Sequence, residues 1–138
     1  MRVKCFWVEK ISPEIIDWDG HIGSPRYRRL DTGEELRGHL PAGALYVIDP
    51  ERQYNYTRGH DGDAVVCVLP DGTHWFVDSF ASNCTKPDDK EHRCWVRHGS
   101  KPGQIHVDKA GLTCSAGAGS IQTKRFHGFL HNGELYSC

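Results

Sequence analysis

The sequence has no apolar run long enough to cross a bilayer. Its longest stretches, such as AVVCVL at 64–69, fall far short of the roughly 20 residues a membrane-spanning helix requires, so no membrane partner is expected. It also lacks a surplus of either charge: 17 Lys and Arg stand against 18 Asp and Glu, for a formal net charge of -1. Nucleic-acid binding is therefore not indicated by net charge, and any anion binding has to come from a local patch. The opening MRVKCFWVEK alternates and turns acidic, without the apolar core of about 7 or more residues that a secretory signal contains. A cytosolic product is expected. Few windows sustain a 3.6-residue apolar period, which leaves little room for long helices.

Glycine and proline are plentiful, 15 and 7 residues in a chain of 138. That length suits one domain, which buries about two thirds of its unfolded surface without needing a covalent staple. The predicted fold is a single mostly β domain over 1–138, made of antiparallel hairpins rolled into a sandwich or small barrel, with little helix. VKCFWVEKI (3–11) reads as a first strand, and SPEIIDW (12–18) as one helical turn with Ser12 as cap and Pro13 at its first position. RYRRLDTGEELRG folds back around DTG, and ALYVID (44–49) forms a short strand stopped by Pro50. VVCVLPDGTHWFVDSF turns at Asp71-Gly72, a strong local hairpin signal. RCWVRHGSKPGQIHVDK forms a hairpin with a longer loop, and FHGFLHNGELYS closes the chain with Asn132-Gly133 at a two-residue turn. Polar loops at 49–63, 81–92 and 111–122 are where such a scaffold would carry its function.

Six cysteines would suggest three bridges in a secreted chain, but in a reducing cytosol they are buried small hydrophobes or ligands. Cys5 and Cys67 lie in apolar stretches and read as core. Cys84, Cys94 and Cys114 sit among polar residues. Strand alternation puts His92, Cys94, Val96 and His98 on one face and Arg93, Trp95 and Arg97 on the other. With Val96 taken opposite His106, the first face gains Gln104, His106 and Asp108. Cross-strand neighbours stand about 4.5–5.5 Å apart at Cβ, so His92, Cys94, His106 and Asp108 can converge on one zinc ion, with Cys84 or Cys114 completing the set. No C-x-x-C pair or H-E-x-x-H supports this, and the bland alternative is a solvent-facing strand with hydrogen-bonded histidines.

CSAGAGSI (114–121) offers a run of small residues whose amides can cradle an oxyanion. Ser115, Gly117, Gly119 and Ser120 are its candidate ligands, complemented by Arg93 and Arg97 and by Lys101, Lys124 and Arg125. The loop matches no known phosphate-binding signature and serves equally as a turn. Acid and base candidates occur in RGHDGD (58–63), HWFVD (74–78) and HVD (106–108), although catalysis requires them to meet around a substrate.

The stretches SNCTKPDDKEHRCWVRHG, HVDKAGLTCSAGAGSI and FHGFLHNGEL, within roughly 75–135, resemble a group of small uncharacterised proteins encoded by tailed bacteriophages. The resemblance implies a phage product made in the cytoplasm of a bacterial host, and it carries no catalytic role to any residue. Three functions are expected in order: a non-catalytic accessory protein that binds a small anionic ligand or a host protein, in host takeover or counter-defence, with zinc as a structural option; a virion decoration that binds phage structural proteins; and a metal-dependent hydrolase.

Overall fold

The computed structural model describes residues 1–12, 26–48, 58–80, 84–85, 88–89, 94–109 and 120–138. Within them the protein is mostly β: twelve strands form three sheets, with no helix and no closed barrel. The six-stranded sheet runs in the order β4 (Glu35–Arg37), β3 (Arg26–Arg29), β2 (Phe6–Ser12), β5 (Ala44–Val47), β6 (Val65–Val68) and β7 (His74–Phe76). The four-stranded sheet runs β1 (Arg2–Lys4), β12 (Glu134–Ser137), β11 (His127–His131) and β10 (Ile121–Gln122). A two-stranded ribbon pairs β8 (Trp95–His98) with β9 (His106–Lys109).

The first predicted strand is in fact two. β1 pairs with β12, whereas β2 pairs with β3 and β5; between them the Cys5 amide donates to the Gly133 carbonyl at 2.8 Å. A single extended stretch thus serves both large sheets by changing partners at one residue, the way sandwich corners are commonly made. One core cluster follows from this. Trp7, Leu45, Val65 and Cys67 of the six-stranded sheet meet Ile121, Leu130 and Leu135 of the four-stranded one, and Trp95 and Val107 of the ribbon join them. A smaller cluster of Phe6, Val8, Leu40, Ala44 and Val68 covers the opposite face of the six-stranded sheet.

The turns obey their local chemistry. Asn132 and Gly133 both take positive φ, 50° and 77°, the twist that a two-residue hairpin needs and that Asn-Gly tolerates best. At the Asp71-Gly72 turn the Asp71 carboxylate accepts the Thr73 amide at 2.9 Å and the Thr123 hydroxyl at 2.5 Å, which ties the β6–β7 hairpin to the segment after β10. The hairpin around DTG also forms, as β3 and β4. Three expectations fare differently. Val96 lies opposite Asp108, and His98 lies opposite His106, two residues from the assumed register; because the slip is even, side chains keep their faces. Ile121 and Gln122, placed in a loop by their small-residue surroundings, form β10. Ser12 ends β2, and the rest of the helical turn expected at 12–18 lies outside the described residues. No helix among the described residues is long and apolar enough to cross a membrane.

Candidate functional site

The ribbon has two unlike faces. On its inner side Trp95 and Val107 are buried, and so is Arg97, whose side chain is 0% exposed. A buried guanidinium needs both counter-charge and an acceptor for each of its five N–H groups. Arg97 has them all. Nε donates to Asp78 Oδ2 at 3.1 Å, one terminal nitrogen donates to Asp61 Oδ2 at 3.0 Å and the Gly99 carbonyl at 2.7 Å, and the other donates to Asp61 Oδ1 at 2.7 Å and the Asp63 carbonyl at 3.3 Å. The Arg97 amide adds a 2.8 Å bond to Asp78 Oδ1. Asp78 is itself buried and holds a positive φ of 62°, a conformation uncommon outside glycine that the surrounding bonds must maintain.

The electrostatics follow the geometry. The Arg97 guanidinium holds the Asp61 carboxyl well below the usual carboxylate range, against the opposing effect of partial burial, and the Ser100 hydroxyl adds a 2.7 Å bond. Burial pushes the Arg97 pKa down, but the Asp61 and Asp78 carboxylates outweigh it and raise it. Gly59 packs so close that any Cβ there would overlap the guanidinium and Asp78 Oδ2. This face is sealed and saturated.

Arg97 is therefore not part of an anion-binding patch: the expectation that it would complement a ligand is overturned, because its donors are already spent on two aspartates and two carbonyls. Cys94 also departs from its expected face. The amides of Cys94 and Trp95 both donate to the Ser79 carbonyl, at 3.1 and 2.9 Å, and β8 begins only at Trp95, so strand alternation does not extend back to Cys94. Cys94 consequently sits in the core beside Trp95, and Cys84 packs against the same cluster. His106 stands on the ribbon's outer side. Among the described residues no three His, Cys, Asp or Glu side chains gather as a metal site. His92, Arg93, Cys114, Ser115, Gly117 and Gly119 lie outside the described residues, as does the side chain of Asp108. Ser120 is described, and its hydroxyl shares a 2.7 Å hydrogen bond with His127 Nε2.

The outer face is built differently. His98 and His106 lie directly across the ribbon, ring centroids 6.1 Å apart, and His106 stacks on His131 of β11 at 4.2 Å. That stack joins the ribbon to the outward side of the four-stranded sheet. There the register sets Phe129 beside Tyr136 and His131 beside Glu134, with Arg2 and Lys4 next along β1. Phe129 and Tyr136 rings are 5.5 Å apart, the Tyr136 hydroxyl and His131 Nδ1 share a 2.7 Å bond, and Arg2 stands 5.6 Å above the Tyr136 ring. The result is a continuous half-exposed band of rings flanked by cations, with Glu134 as its carboxylate, bound by Arg2 at 3.3 Å.

Sequence reasoning found His98 and His106 on one face but missed Phe129, His131 and Tyr136. Their signal was available: alternation through HGFLHNGELYS about a two-residue turn puts Phe129, His131, Glu134 and Tyr136 on one side. Comparison with known proteins finds no matching family model, no matching curated protein and no matching solved structure.

Proposed function

We propose that the protein is a non-catalytic accessory module that binds the acidic surface of a partner protein through the ring-and-cation band. The observation that carries this reading is the His106–His131 stack at 4.2 Å, which merges two separate sheets into one recognition face. Half-exposed aromatic and imidazole rings give rigid contact area at low entropic cost, and the flanking Arg2 and Lys4 supply complementarity to carboxylates. The carboxylates Asp61 and Asp78, two of the acid candidates in the sequence, are committed to Arg97, which favours binding over acid–base chemistry. In the phage setting implied by the sequence resemblance, the partner is a host protein, and host takeover or counter-defence suits such a module.

Retention on immobilised heparin, a stand-in for a dense acidic surface, tests the face. The wild-type chain is expected to bind at low ionic strength and to elute as screening shortens from about 10 Å at 0.1 M salt toward about 3 Å at 1 M. An Arg2→Glu, Lys4→Glu variant should elute markedly earlier. A wild type that flows through, or a variant that elutes unchanged, would sink the reading.

A further inference from the structure

β2 and β5 are the parallel neighbours of the six-stranded sheet, paired through Phe6–Ala44 and Trp7–Leu45. Beyond Trp7, β2 follows β3, with Val8 opposite Arg29 and Lys10 opposite Tyr27, while β5 follows β6, with Tyr46 opposite Val66 and Val47 opposite Val65. Two strands that leave a shared start with different partners open a fork between them, and here the fork holds a cavity of about 370 Å³. That volume falls in the range of small-ligand pockets, roughly 300–1,000 Å³.

The walls specify what would fit. Val8, Val47 and Ile48 supply apolar surface, and the rings of Tyr27 on β3, opposite Lys10, and Tyr46 on β5 add flat area. Tyr46 is held in orientation because its hydroxyl bonds His74 Nδ1 at 2.7 Å and its ring meets the imidazole edge-on at 5.7 Å. Lys10 and Lys101 stand at the lining with Glu9, and Lys101 reaches Glu9 at 3.9 Å. With Glu9 answered by Lys101, Lys10 adds a positive charge to a cleft of rings and branched aliphatics. We infer that the fork between β2 and β5 binds a small planar aromatic anion, its ring system between the tyrosines and its acidic group toward Lys10. Both nucleoside monophosphates and fused-ring carboxylates share this chemistry. The inference concerns a different set of residues from the ring-and-cation band and stands without it.

Calorimetry and thermal shift on the intact chain test it with adenosine monophosphate and 1-naphthoate, against the uncharged adenosine and 1-naphthylmethanol and against inorganic phosphate. At least one of the two anions should bind saturably and raise the melting temperature, and which one does so identifies the source. The matching neutral compound should bind about tenfold more weakly, the effect of losing one charge-assisted contact. Lys10→Gln should weaken the anion by a similar factor and leave the melting temperature of the free protein unchanged, since Lys10 is exposed; Lys10→Thr provides a second variant if the first fails to fold. No binding of either anion at millimolar concentration, equal binding of the neutral compound, an equal shift from phosphate alone, or undiminished binding to the lysine variant would each overturn the inference.

Discussion

The two faces of the β8–β9 ribbon use polar side chains in opposite ways. Inward, Arg97 gives up its hydration, and its whole donor set is matched by Asp61, Asp78 and two carbonyls. Outward, His98 and His106 keep contact with solvent and meet ring neighbours. The ribbon thus alternates between a group whose loss would leave buried charge uncompensated and rings that stand on a less buried face. Polarity in a sequence does not tell a reader which of these a residue is; burial does.

The sharpest way to break the contrast is Arg97→Leu. It leaves Asp78, 3% exposed, and Asp61, 22% exposed, without their cation, and removing one partner of a buried pair costs about 3–5 kcal/mol. Urea unfolding should show the chain destabilised by that amount or failing to fold; a loss under about 1 kcal/mol would mean that the network contributes little.

A smaller effect is expected from Asp61→Asn, which keeps the shape but weakens the bidentate contact, at a cost of about 1–3 kcal/mol at neutral pH. Its pH dependence carries a definite sign. The folded-state pKa of Asp61 is depressed by Arg97, so its contribution is complete above the unfolded carboxylate value of about 3.9 and is lost as pH falls through the lower folded value. Wild-type urea midpoints should therefore drop more steeply below about pH 4 than those of the asparagine variant. Parallel curves would assign the acid sensitivity to other carboxylates, such as Asp31 and Asp71, which are also depressed, by Arg29 and by Thr123.

At the bottom of the scale, His98→Ala on the exposed face should move stability by no more than about 0.5 kcal/mol. A drop comparable to that of Asp61→Asn would mean that the outer rings are structural after all, and it would remove the contrast between the faces.

Much of the local architecture was legible without coordinates. Asn132-Gly133 announces its turn because few other dipeptides accept two positive φ angles, and at Pro70-Asp71-Gly72 the glycine takes the one positive φ; the arms around both alternate as strands do. The candidate site was legible only in part. Alternation placed His98 and His106 together, but the turn of Cys94 into the core goes with its amide's bond to the carbonyl of Ser79, fifteen residues earlier, and no periodicity encodes it. RGHDGD and HWFVD each displayed an aspartate, yet nothing in either stretch says that both converge on Arg97. Cys5 likewise gives no sign that a continuous apolar strand changes sheets there.

By itself the sequence determined that this chain is built of strands and short turns, because backbone preferences and a two-residue period act between near neighbours. The tertiary structure alone decided which polar residues were drawn inside and paired, where β2 and β5 part to open a cleft, and that His106 of the ribbon meets His131 of another sheet. These depend on contacts between distant segments, and their energies come from burial and charge pairing that exist only once the sheets have packed.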